Sequence, residues 1–145
     1  MNRREVLILL VEDNPDDVEL TLKAFEKHKL TNDIIVARDG EEALSLLFPE
    51  DDSISEPCTP DLILLDLKLP KVDGLEVLSR IKSDPVTKLI PVVVLTSSNE
   101  EKDLTESYRL GVNSYIRKPV DFEKFTQAII QLGMYWLLLN ESPVK

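Results

Sequence analysis

Apolar and polar positions alternate along this chain with two different periods. Three unbroken apolar runs are each too short for a core helix: Glu5–Val11, Leu62–Leu65 and Pro91–Leu95. Runs of this length without a polar face predict strands covered on both sides. Two shorter stretches, Ile34–Ala37 and Ser114–Arg117, read as further strands. Between them the apolar residues recur at helical spacing: Val18, Leu22 and Phe25; Ala43, Leu44 and Leu47 within Glu41–Phe48; Leu75, Leu78 and Ile81 from Gly74 to Lys82. A helix from Glu100 to Leu110 and a last one from Asp121 to Leu139 complete the pattern.

Turn chemistry sets the boundaries. Asn14 is a good N-cap and Pro15 fits a first helical turn. Asn99 and Asp121 can cap the last two helices, and Gly111 stops the first of these. Ser83-Asp84-Pro85 ends the helix before it. Pro49–Pro60 reads as a polar loop. Strands alternating with helices imply right-handed parallel βαβ units. The expected fold is α/β, a flavodoxin-like doubly wound sheet of five parallel strands in the order 2-1-3-4-5, with five helices. It occupies residues 1–145 as one domain, with a core from 5 to 139 and no output domain.

Composition narrows the classes of function. The 145 residues are 43% hydrophobic, which suits a packed core, and the formal net charge is -10. That charge disfavours nonspecific binding to nucleic acid and suits protein partners. No apolar run approaches the roughly 20 residues of a membrane span, and no signal peptide is visible. Cys58 is the single cysteine, so neither a disulfide framework nor a cysteine metal cluster is expected. A cytoplasmic protein follows, with no membrane or nucleic-acid partner.

The expected strand order gathers chemistry at one sheet edge. The strand tips carry Glu12 and Asp13, Asp66, Thr96 and Lys118. Capping and the helix dipole explain Asn14, Asp16 and Asp17 well, but they explain Glu12 and Asp13 less well, because these precede the cap. Three adjacent carboxylates repel one another. A divalent cation relieves this, and oxygen-only ligands favour Mg²⁺. Asp66 beside such an ion is a nucleophile able to accept a phosphoryl group. Lys118 and Thr96 can bind the remaining phosphoryl oxygens.

These residues carry a family likeness. Val11-Glu12-Asp13-Asn14, Leu64 to Pro70, Asp73-Gly74, Val94-Leu95-Thr96-Ser97 and Tyr115 to Pro119 resemble a response-regulator receiver domain of the CheY-like kind. The resemblance implies that Asp66 is the phosphoacceptor. It implies that Asp13 and Asp66 hold Mg²⁺ with the backbone carbonyl of Lys68, and that Glu12 completes the acidic pocket. It makes Lys118 the phosphoryl contact, followed by a cis bond to Pro119. Thr96 and Tyr115 become the switch pair that alters the surface of the fourth helix, fifth strand and fifth helix. The Lys68 side chain is expected to screen or tether the phosphoryl group. Ser83-Asp84-Pro85, the acidic loop and the Trp136-Leu137-Leu138-Leu139 tail resemble stand-alone regulators paired with phytochrome kinases.

The phosphoryl donor would be a partner sensor histidine kinase, since His28, the sole histidine, reads as a surface residue. Ile130, Met134, Leu137 and Leu138 leave the last helix a second apolar face, which predicts a homodimer through the last strand and that helix. Two rivals remain. A haloacid-dehalogenase-type aspartyl-phosphate phosphatase needs a second Asp two residues after the nucleophile, where Lys68 stands. The other is a phosphorylation-independent interaction scaffold, which leaves Asp13, Asp66, Thr96 and Lys118 unexplained.

Overall fold

Parallel pairing of five strands builds the molecule. The computed structural model describes residues 7–27, 33–50, 56–97 and 100–118, with Glu123 and Gln127. The strands are β1 (Leu7–Val11), β2 (Asp33–Ala37), β3 (Leu62–Leu65), β4 (Val92–Thr96) and β5 (Ser114–Arg117). They form one sheet in the order β2-β1-β3-β4-β5, as the sequence pattern predicts. All four pairings are parallel, with Val11 opposite Ala37 and Leu65, and Thr96 opposite Arg117. The helices are α1 (Pro15–Lys27), α2 (Gly40–Leu47), α3 (Gly74–Ser83) and α4 (Glu101–Arg109). The fifth expected helix, with His28, Pro119 and the apolar tail, lies outside the described residues apart from Glu123 and Gln127, which are helical.

Alternation along each strand splits the core into two layers. Ile8, Leu10, Leu62, Leu64, Val93 and Leu95 face Val18 and Phe25 of α1. Leu9, Val11, Ile63, Leu65, Val92 and Val94 face α2 and α3 through Ala43, Leu47, Val77, Leu78 and Ile81. Both sheet faces are therefore covered, and Ile8–Val11, Leu62–Leu65 and Val92–Leu95 are unbroken apolar runs because every one of these positions is buried.

The structure departs from the expectations at several points. Leu22 is exposed rather than inward, since Val18 and Phe25, seven residues apart, already supply α1's buried stripe. In α3 Val77 is fully buried and Leu75 only partly so. A short 3-10 turn at Thr87–Leu89 is added before β4, with Asp84 accepting from the Val86 and Thr87 N–H groups at 2.8 and 3.1 Å. The N-cap of α4 is Glu100, without a side-chain cap bond; Asn99 lies outside the described residues.

The segment between β3 and α3 is braced on its α2 side. Lys71 adopts a positive φ of 69°. Its ammonium lies 3.6 Å from Asp39 and 3.5 Å from Glu41, the N-cap and first turn of α2. The Gly40 N–H donates to the Pro70 carbonyl at 3.4 Å, and a Cβ on Gly40 would stand 2.1 Å from the Val72 carbonyl oxygen. Gly74 is equally confined: its Cβ would lie 2.4 Å from Leu67 Cα and 2.5 Å from the Asp66 carbonyl oxygen. Only backbone lies in the way, so it cannot yield as a side chain would. Gly74→Ala is expected to lower stability by about 1–3 kcal/mol, read as a reduced urea midpoint with an unchanged slope.

Candidate functional site

Each strand end delivers its residue through backbone bonds that continue the sheet. Glu12 N–H donates to the Ala37 carbonyl at 2.9 Å, Asp66 N–H to the Val11 carbonyl at 3.0 Å, and Lys118 N–H to the Thr96 carbonyl at 2.8 Å. Helix α1 then starts immediately, with Asn14 Oδ1 accepting from the N–H groups of Asp16 and Asp17 at 2.8 and 3.2 Å. The strand therefore turns away directly after Asp13 and leaves both acids at the sheet edge.

The Lys118 ammonium sits at the centre of this edge. It donates to Glu12 Oε1 at 2.5 Å, Asp17 Oδ2 at 2.8 Å and Asp66 Oδ2 at 3.2 Å. Glu12 and Asp66 are buried and Asp13 is exposed. Burial pushes the Glu12 pKa from 4.5 up to about 7, reinforced by the charge of Asp66 and only partly offset by Lys118. Burial also opposes the charged form of Lys118. Its hydrogen bonds to Asp17 and Glu12 and the charge of Asp66 outweigh that and hold its pKa above the usual lysine range.

The carboxylates of Glu12, Asp13 and Asp66 approach one another within 4.8 Å. Three oxygen donors, one of them exposed, fit a hard divalent cation that keeps some of its water. Buried carboxylates around the Lys118 ammonium gain from such an ion, because its charge offsets the burial and the Asp66 charge that raise Glu12.

Thr96, at the tip of β4, is fully buried. Tyr115 is half-buried, packs on the α2–α3 side of the core, and has a buried hydroxyl. The Lys68 N–H donates to Asp66 Oδ1 at 3.2 Å, which keeps its backbone against the acceptor. Its side chain departs from the expectation that it screens the phosphoryl group. The ammonium pairs instead with Asp103 at 3.2 Å and Glu100 at 3.9 Å, at the start of α4.

Two residues escape a sequence reading. Asp17 looks like one more first-turn acid of α1, although its place three residues after the N-cap Asn14 keeps it near the strand tip. Asp103 looks like a solvated helix residue but is 4% exposed. The absence of apolar residues at its helical spacing was the available signal: Asp103 and Ser107 are the two buried residues of α4.

The family model of the response regulator receiver domain matches residues 8–130. Response regulator Rcp1 of Synechocystis is 40% identical over 131 residues, 90% of this chain and 88% of Rcp1. A solved Mn²⁺-bound form of Rcp1 superposes with a TM-score of 0.76 over 96% of this chain and 99% of that one, at 39% identity. The bacteriophytochrome response regulator AtBRR is 54% identical with a TM-score of 0.80, covering 96% of this chain and 100% of its own. The phosphorylated cyanobacterial phytochrome response regulator RcpA is 42% identical with a TM-score of 0.76, over 97% and 99%.

Two measurements follow from this geometry. A cation at this carboxylate cluster would be favoured by the deprotonated form of Glu12, and that fraction grows as pH rises through about 7. Mg²⁺ affinity is therefore expected to rise from about pH 6 to about pH 8 with proton release, seen by calorimetry in buffers of different ionisation enthalpy; Glu12→Gln flattens the slope. Lys68→Ala strips the ammonium from buried Asp103 and is expected to cost about 1 kcal/mol, between an exposed and a buried pair. Faster amide exchange confined to α4 checks it.

Proposed function

This chain belongs to the response regulator receiver family, and we propose that it takes a phosphoryl group from a partner histidine kinase onto Asp66. The observation that carries this reading is the Lys118 ammonium, 3.2 Å from Asp66 and bonded to the acid cluster beside it. An Asp66 carboxylate oxygen attacks phosphorus as the bond from phosphorus to the donor's imidazole nitrogen breaks. The imidazole departs with the bonding electron pair. Lys118 neutralises the equatorial oxygens, and the Thr96 hydroxyl binds another of them as the charge spreads.

Glu12, Asp13 and Asp66, with the Lys68 carbonyl, would hold Mg²⁺. Such an ion would supply positive charge to offset that of the transferring phosphoryl group. The likeness to the Mn²⁺-bound form of Rcp1 supports a metal at this edge. The phosphorylated state of RcpA supports the reaction.

The phosphoryl group carries roughly 1.5–2 negative charges where the free Asp66 carboxylate carried one, and it adds further acceptor oxygens. Thr96 is then drawn toward the phosphoryl group, and Tyr115 settles against the space it leaves. The α4–β5 face and the helix after β5 change with them. The protein so acts as a signalling switch whose only catalysis is on its own acyl phosphate. The likeness to AtBRR and RcpA, both phytochrome response regulators, supports a kinase of the phytochrome type. The sequence spacing of Ile130, Met134, Leu137 and Leu138 supports a homodimer. Among the described residues no helix is long and apolar enough to cross a membrane, which agrees with a cytoplasmic site of action. The phosphatase reading is disfavoured, because Lys68 stands where that chemistry needs a second acid and its ammonium is turned to α4.

Acetyl phosphate with Mg²⁺ is expected to add one phosphoryl mass to the intact chain, and Asp66→Asn to add none. An unmodified wild-type chain, shown to be folded, would refute the assignment.

A further inference from the structure

Helices α1 and α2 begin with the same arrangement of residues and end it differently. In α2 the N-cap Asp39 accepts from the Glu42 N–H at 2.7 Å, and Glu42 returns its own carboxylate to the Arg38 N–H at 2.8 Å. That reciprocal pattern is how an acid at the third helical position satisfies the entering backbone. In α1 the N-cap Asn14 accepts from the Asp17 N–H at 3.2 Å, but Asp17 returns nothing. Glu12 Oε2 takes the Asn14 N–H instead, at 3.2 Å. The Asp17 carboxylate is thereby released from capping and bonds Lys118 at 2.8 Å.

Asp17 also differs from the other two partners of that lysine. The Glu12 and Asp66 side chains are 4% and 6% exposed, and that of Asp17 is 32% exposed. It is not one of the three carboxylates that converge within 4.8 Å. When Asp66 takes a phosphoryl group, its own hold on Lys118 passes to the phosphoryl oxygens. Asp17 is left chemically unchanged, hydrated on one side, and at a shorter distance from Nζ than Asp66 is.

We propose that Asp17 is a positioning residue that competes with the incoming phosphoryl group for the Lys118 ammonium and so slows phosphorylation of Asp66. This rests on the reading of Asp66 as the acceptor. Asp17 forms and breaks no covalent bond. It acts through Lys118 by fixing the fraction of time the ammonium spends away from the transferring oxygens.

The test is the initial rate of phosphorylation of the full chain by acetyl phosphate and by phosphoramidate at saturating Mg²⁺. Asp17→Asn is expected to raise the rate about threefold with both donors, the scale of a half-exposed ion pair. Asp17→Ser, a second variant lacking the charge, should do the same. Asp17→Glu should restore the slow rate. Asp16→Asn removes an equal charge from the same helix turn without touching Lys118, and should leave the rate unchanged. In a Lys118→Ala background Asp17→Asn should have no further effect. The proposal is overturned by an unchanged or slower rate in both Asp17→Asn and Asp17→Ser, by an equal gain in Asp16→Asn, or by a gain that persists without Lys118. A wild-type chain that takes no phosphoryl group, like Asp66→Asn, would instead remove the reading on which the proposal stands.

Discussion

Repulsion among carboxylates, contained by one ammonium, is the constraint on which this structure depends. Glu12, Asp17 and Asp66 all converge on Lys118, and two of the three are buried. Lys118 follows β5, which is separated from β1 by β3 and β4. Three strand spacings measure on the order of 14 Å on a flat sheet. Sheet twist and the length of a lysine close that gap. The strand order, the termination of β1 at Asp13 and the immediate start of α1 therefore have one joint consequence: unlike charges from distant parts of the chain meet where water is scarce. An uncompensated charge there would cost more than any single packing contact.

The sheet was readable because burial leaves a one-dimensional trace. β1, β3 and β4 lie in a sheet covered on both faces, so their buried positions up to the strand tips are apolar, and the alternation of strands and helices made the pairing parallel. The placement of Glu12, Asp13, Asp66, Thr96 and Lys118 at strand ends was readable because the same pattern fixes where the strands stop. Leu22 misled because a helical apolar position predicts a face and not the width of the buried stripe. Asp17 and Asp103 were hidden for a different reason. Each lies on a helix where an acid has an ordinary explanation, and only the direction of a lysine from elsewhere in the chain gives it another. Lys68 was assigned by its nearness to Asp66 along the chain, while its long side chain reaches α4.

Helices α3 and α4 show how the two sides of the site differ. α3 is seated by Val77, Leu78 and Ile81, all fully buried. α4 turns Asp103 and Ser107 inward, so part of its seat is an ion pair to Lys68. Apolar packing tolerates little displacement, because a gap forfeits contacts outright. An ion pair with one exposed partner weakens gradually and can re-form with water. The element joined to Asp66 through Lys68 is thus also the one whose seating is most readily altered by charge.

The segment from Leu67 to Asp73 has unequal fastenings at its two sides. Toward α2 it is pinned by the left-handed Lys71, by the Gly40–Pro70 bond and by a contact with no room for a methyl group. Toward α4 it is attached, among the described residues, through the Lys68 side chain. The two sides are thus held by forces of different reach: a steric stop that acts over tenths of an ångström, and a charge pair that weakens gradually with distance.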